Sequence, residues 1–238
     1  MPNHQILNFD DHAAVRVHTA AGADLGDAVM ACLVVPPEFR RLATHYPILF
    51  RQDAETGQFS ALALFGFEPD ENLFLNGDQW DAGTKPLAMA VQPFLVGRSR
   101  DPEAPGQVHI DMDHPRIARD ETGVRLFEPG GQPTLLVEEV ADMLGALDQG
   151  YRDSAAFYAA LERHDLLEPF SMDVTLDDGS QNRLVGYHLI NEERLSQLAA
   201  GALAELHGDG HLLPIFMAVA SVGNLSALVR RRNRRPHG

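Results

Sequence analysis

His109-Ile110-Asp111 is the stretch of this chain whose residue types and spacing come nearest to a reactive centre. Alternate side chains of a strand share a face, so His109 and Asp111 would project together. They would then match the first two ligands of the facial triad that holds non-haem iron. A distal histidine must complete such a set. His188 has a workable spacing, and His207 and His211 are the other options.

The remaining reactive residue types point away from catalysis. His207-Gly208-Asp209-Gly210-His211 has the spacing of a ligand pair, but its two glycines make it a turn that ends a helix. The chain lacks a G-x-S-x-G elbow, a Walker loop and a Gly-rich dinucleotide fingerprint. Cys32 is the only cysteine, which excludes an internal disulfide and a thiolate cluster, and its apolar surroundings make it a small buried hydrophobe. Asp177-Asp178 reads as a pair of turn residues. The expectation is a protein with no catalytic residue, cofactor or metal, with an iron oxygenase built on His109, Asp111 and His188 as the alternative. For binding, the aromatic loop offers Phe74 and Trp80 as anchors, with Asn72 and Asp81 beside them as polar contacts.

Charge divides the chain. The formal net charge is −15, but five arginines (Arg230, Arg231, Arg232, Arg234 and Arg235) fall in the last nine residues, where there is no acid. The rest holds 14 basic and 34 acidic residues, close to −20. Such a body repels polyanions, so nucleic acid is not an expected partner. Residues 230–238 read as a basic, disordered tail. The N-terminus has no basic patch ahead of an apolar segment, and the longest apolar run, Leu212 to Val222, is short of the ~20 residues of a membrane span. A cytoplasmic protein is expected.

The elements that must position these residues follow from periodicity. Residues 1–27 form a polar arm with one strand near Ala14 to His18. In residues 28–132, Val29 to Val35 is a buried strand, Tyr46 to Phe50 and Phe59 to Phe67 form a hairpin about Thr56-Gly57, and Val91 to Val96 and Gln107 to Met112 are further strands joined by a Pro/Gly-rich loop. A boundary near Gln132 opens a helix-rich part, 133–229. There Thr134 caps a helix to Leu147, a second runs from Asp153 to Leu166, and Phe170 to Leu176 with Arg183 to Ile190 makes a second hairpin. Asn191 caps a helix to Gly208, and a last helix from Leu212 is apolar on all sides and buried between helices and sheet. The fold class is α+β: an antiparallel β-rich half packed on a helix-rich half.

Several of these segments carry a family likeness: Tyr46-Pro47-Ile48, Glu55-Thr56-Gly57-Gln58-Phe59, Ala63-Leu64-Phe65-Gly66, Glu71-Asn72-Leu73-Phe74, Trp80, Pro93-Phe94, Leu126-Phe127, His164 to Phe170, and the Leu213 to Leu225 helix. Through them the chain resembles the SapC family, soluble proteins named for a role linked to surface-layer (S-layer) protein transport and distinct from the like-named peptide-importer permease. The likeness runs from about Val29 to Leu228. It implies an accessory protein without established catalytic residues. Family members are often encoded beside flavin-dependent halogenases, cupin-like proteins and outer-membrane receptors. The implied partner is therefore a peptide, a surface or secreted protein, or a co-encoded modifying enzyme. A homodimer is a further option. His109 departs from the family pattern, which weighs against the iron set.

Overall fold

A computed structural model describes residues 3–97 and 106–235. The strands are β1 (His4–Ile6), β2 (Arg16–Val17), β3 (Ala31–Val34), β4 (Ile48–Gln52), β5 (Phe59–Leu64), β6 (Leu75–Asn76), β7 (Gln79–Trp80), β8 (Phe94–Gly97), β9 (Gln107–Asp111), β10 (Val124–Arg125), β11 (Leu167–Thr175) and β12 (Gln181–Ile190). The α-helices are α1 (Phe9–His12), α2 (Phe39–Leu42), α3 (Leu87–Ala90), α4 (Leu135–Arg163), α5 (Glu192–Ser196), α6 (Ala200–Gly208), α7 (Leu212–Ser221) and α8 (Asn224–Arg234). The class is α+β, with most strands early and most helices late. The Pro/Gly-rich loop expected after Val96 lies largely outside the described residues.

The chain divides into two compact units that interleave in sequence. One comprises Met1–Ala28, Leu75–Asp81 and Leu87–Gln149, the other Val29–Phe74, Ala82–Pro86 and Gly150–Gly238. This differs from the consecutive arm, 28–132 and 133–229 division expected, because strand partners distant in sequence determine which segments share a core.

In the first unit β1, β9 and β8 form an antiparallel sheet and β10 pairs with β2. Loops are tied by charge. Arg116 donates to the carbonyls of His18 (3.0 Å) and Ala20 (2.7 Å) and to Asp27 (2.6 Å), and Asp27 also accepts from the Gly22 amide. Both side chains are buried, so the pair replaces lost hydration with directed hydrogen bonds.

The second unit is built on the five-stranded order β11-β12-β4-β5-β3, with both expected hairpins in place. Its interior is aromatic. Phe39 meets Phe50 and Phe157 edge to face, with centroids 6.3 and 6.0 Å apart, and Tyr46 meets Phe65 at 5.3 Å.

Three helix expectations change. The two helices expected from Thr134 to Leu147 and from Asp153 to Leu166 are one, α4, since nothing between them but Gly150 opposes a helix and a single glycine costs only about 1 kcal/mol. Gly150 is there for room: a Cβ would lie 2.6 Å from Val35 Cγ2. Conversely, the helix expected from Asn191 to Gly208 breaks into α5 and α6, with Ala199 extended at φ −64°, ψ 153°. Nothing in the local sequence marks that break.

The third change concerns the chain end. Helix continues through Val222 and Gly223, both in the αR region, so Leu212–Arg234 is a 23-residue rod. An 18-residue window in it has mean hydropathy 2.0, and by length and composition it is long enough to cross a membrane, which the run to Val222 was not. It is not apolar and buried on all sides. Ile215, Ala218, Ser221, Leu225 and Leu228 are buried, in a unit where α7 meets α2, β4 and β12, whereas Leu213 and Phe216 are about half exposed. Ser221 Oγ accepts from the Ile48 amide (2.9 Å), and Asn224 donates to the carbonyls of Ala43 and Tyr46. The expected disordered tail is helical to Arg234; 236–238 lie outside the described residues.

Candidate functional site

The iron alternative does not assemble. Among the described residues no group of three His, Cys, Asp or Glu side chains could hold a metal ion. His109 and Asp111 are both half-buried on β9, yet each has a structural task. The His109 ring crosses Gly97 on the neighbouring strand, where a Cβ would come within 2.0 Å of it. Asp111 accepts from the amides of Asn3 (3.2 Å) and Asp113 (3.1 Å). His188, in the other unit, meets Phe59 edge on at 5.0 Å, and burial holds its pKa below the usual value.

The four aromatic-loop residues do not make an exposed platform, because two of them are buried. Phe74 is 2% exposed, packed on Tyr46 (4.6 Å) and Phe65 (6.2 Å) and covered by the Arg231 guanidinium 4.4 Å from its ring centroid. Asn72 is equally buried and its side-chain oxygen accepts from the Phe74 amide, an Asx turn. Trp80 is half-buried on β7 and Asp81 is exposed. Buried Phe74 cannot anchor a partner, because its apolar surface is already spent on the core.

The groove that does open lies on the second unit and holds about 330 Å³. One wall is α4, from which Tyr151, Ser154, Tyr158 and Glu162 face it at helical spacing. The other is the sheet edge, with Leu33 of β3 and Phe59 of β5. Leu33 (42% exposed) and Tyr151 (40%) give the rim its apolar surface.

Strand register sets the edge. Cys32 lies opposite Ala63, and the Phe65 amide donates to the Met30 carbonyl, so Met30, Cys32 and Val34 turn their backbone groups toward β5. By the same alternation those of Ala31 and Leu33 turn outward. Pro36 and Pro37 end the strand, and the Val35 amide donates to Glu38.

The hydroxyls of Tyr158 and Ser154 are engaged in holding structure. Tyr158 Oη accepts from the Ala61 amide (2.9 Å), and burial pushes its pKa up to about 12. Burial also raises the Tyr151 phenol, and Ser154 Oγ donates to the Gly150 carbonyl (2.6 Å). Cys32 is buried and its thiol is raised by burial and by Glu38, so it is no nucleophile at neutral pH. This arrangement offers apolar contact and hydrogen bonds, with the Glu162 carboxylate at the end of the helical wall.

Sequence reasoning missed Leu33, Phe59, Tyr151 and Tyr158. Tyr151 and Tyr158 are seven apart, on one helical stripe beside the core stripe of Phe157 and Leu161, and that stripe was a readable signal. The strand pairing that sets Leu33 against it was not.

A second depression of about 350 Å³ in the same unit is lined by Pro37, Arg40, Asp153, Phe157, His211 and Leu213 among others. Its turn, Asp209-Gly210 with Gly210 at φ +75°, ends α6 just after His207 and leads to His211 at the start of α7, so the two histidines do not share a helix face.

Fold and groove together define an α+β protein with an open, largely apolar cleft at a sheet edge. The sequence profile of the SapC family matches residues 7–228, and the chain belongs to that family. Comparison with characterised proteins and with solved structures returned no match.

Proposed function

We propose that this SapC-family protein is a non-catalytic accessory protein that binds an extended peptide, or such a segment of a surface or secreted protein, in the groove between β3 and α4. The groove beside an outward-turned sheet edge carries this reading. An extended chain could place side chains on Leu33, Phe59 and Tyr151 while its backbone meets the outward groups of Ala31 and Leu33, as in β-strand addition. The engaged hydroxyls favour holding a segment over reacting with it. In this reading the protein acts in the cytoplasm, ahead of transport or modification of its client.

The test is an immobilised array of 15-residue peptides tiling the exported proteins of the source organism, followed by fluorescence polarisation with the best binder. Leu33→Asp and Tyr151→Asp should each weaken binding at least tenfold with unchanged circular dichroism. Binding untouched by both substitutions would refute the groove.

A further inference from the structure

The arginine-rich end and the exposed side of the last helix are not used by the groove. We propose that the outward stripe of α7 and α8 seats this protein on an anionic lipid surface, lying flat along it.

The stripe is set by helical geometry. Exposed positions on the rod are Leu213, Phe216, Ala220, Gly223, Ser226, Arg230 and Arg234, separated by three or four residues throughout. They form one continuous face about 31 Å long at 1.5 Å per residue. The first half is hydrocarbon, with Leu213 52% and Phe216 48% exposed, and Leu203 stands exposed on the adjoining α6. Large apolar side chains kept in water at neighbouring points mark a contact surface.

Charge identifies the contact. All 34 acidic residues of the chain lie before Leu212, and none occurs from there to the end. Arg231 and Arg232 turn back onto Phe74 and Glu71. Arg230 and Arg234 are exposed on the stripe itself. An apolar face continuing into cations is the pattern of helices that lie in a membrane interface, with the hydrocarbon shallowly inserted and the arginines among anionic headgroups. Two acids lie against α8, Glu71, whose charge is met by Arg232, and Asp177, whose amide donates to Asn233; acids more than about 10 Å from the stripe are screened at 0.1 M salt. A bilayer suits the stripe better than an acidic protein does, because the back of a helix is convex and a lipid surface needs no complementary groove.

The experiment is co-sedimentation of the full-length protein with vesicles of 70:30 phosphatidylcholine:phosphatidylglycerol and of phosphatidylcholine alone. Binding should be at least tenfold stronger to the anionic vesicles and fall in 0.5 M salt. Phe216→Glu should weaken it at least tenfold. Arg230→Glu with Arg234→Glu should abolish the anionic preference, since each cation near such a surface is worth about fivefold. Val185→Glu, an exposed apolar site on β12, serves as control and should change nothing. Equal or absent binding to the two vesicles at low salt would overturn the proposal. So would an unaffected Phe216→Glu, or capture by an acidic amphipathic peptide where the vesicles fail.

Discussion

In the first compact unit, the loops around residues 18–27 and 114–117 close on a buried guanidinium and carboxylate. In the second, the strands and helices close on Phe39, Phe50, Phe65 and Phe157. The first arrangement is directional, since the Arg116 guanidinium donates to three acceptors, the His18 and Ala20 carbonyls and Asp27. The second is dense and non-directional, and it supports a five-stranded sheet with an edge left for other use. Polar ties suit short strands and long loops; aromatic packing suits a platform.

The largest effects expected of substitution separate these two kinds of interior. Phe39→Ala should cost about 3–5 kcal/mol through lost burial and a cavity. Asp27→Ala should cost about 3–5 kcal/mol for a different reason, a buried Arg116 left without its counter-charge. Only the second loss should be recovered by a double change, Asp27→Leu with Arg116→Met, measured by urea unfolding. A double variant as unstable as Asp27→Ala would show that the bonds to His18 and Ala20, not the charge pairing, hold the loops.

A smaller effect sharpens the contrast within one helix. Gly145 of α4 has open space where a Cβ would go, whereas a Cβ at Gly150 meets stiff, buried Val35. Gly145→Ala should stabilise by about 0.5–1 kcal/mol. Gly150→Ala should instead destabilise, because overpacking of about 1–3 kcal/mol outweighs the same helix gain. Thermal melts of the two variants moving in the same direction would break this distinction.

The smallest effect is a pH dependence. Tyr158 is held neutral by burial, with its pKa at about 12 against the ordinary 10. Between those values the unfolded chain has lost this proton and the folded chain has kept it. The contribution is therefore complete below pH 10 and is lost as pH rises toward 12. Tyr158→Phe should flatten that alkaline slope in unfolding titrations. At the acid side, His114 titrates low through burial and nearby Arg116, and His188 through burial. Both should protonate below the usual histidine range by NMR, and both should favour the unfolded state as pH falls below 6.5.

Much of the local structure was legible. Alternation showed the β4–β5 and β11–β12 hairpins, Asn191 showed a helix start, and the glycines after His207 showed a helix end. These depend on neighbours within a few residues. The site was less legible. Phe74 and Asn72 have the composition of a binding loop, but Arg231, more than 150 residues later, closes over that ring, and a sequence cannot show which distant guanidinium will do so. The arginine run reads as a frayed end until its ion pair with Glu71 is seen.

By itself the sequence determined the α+β class, the family, the turn positions and the separation of acidic body from basic end, because each is a matter of residue type and short-range spacing. The tertiary structure alone decided which strands pair and where the chain divides into units. It also decided which of two glycines in one helix is needed for space, and which face of the last helix meets solvent. Those outcomes rest on contacts between residues far apart in the chain, and burial assigns a side chain to core or surface only once the partner that covers it is in place.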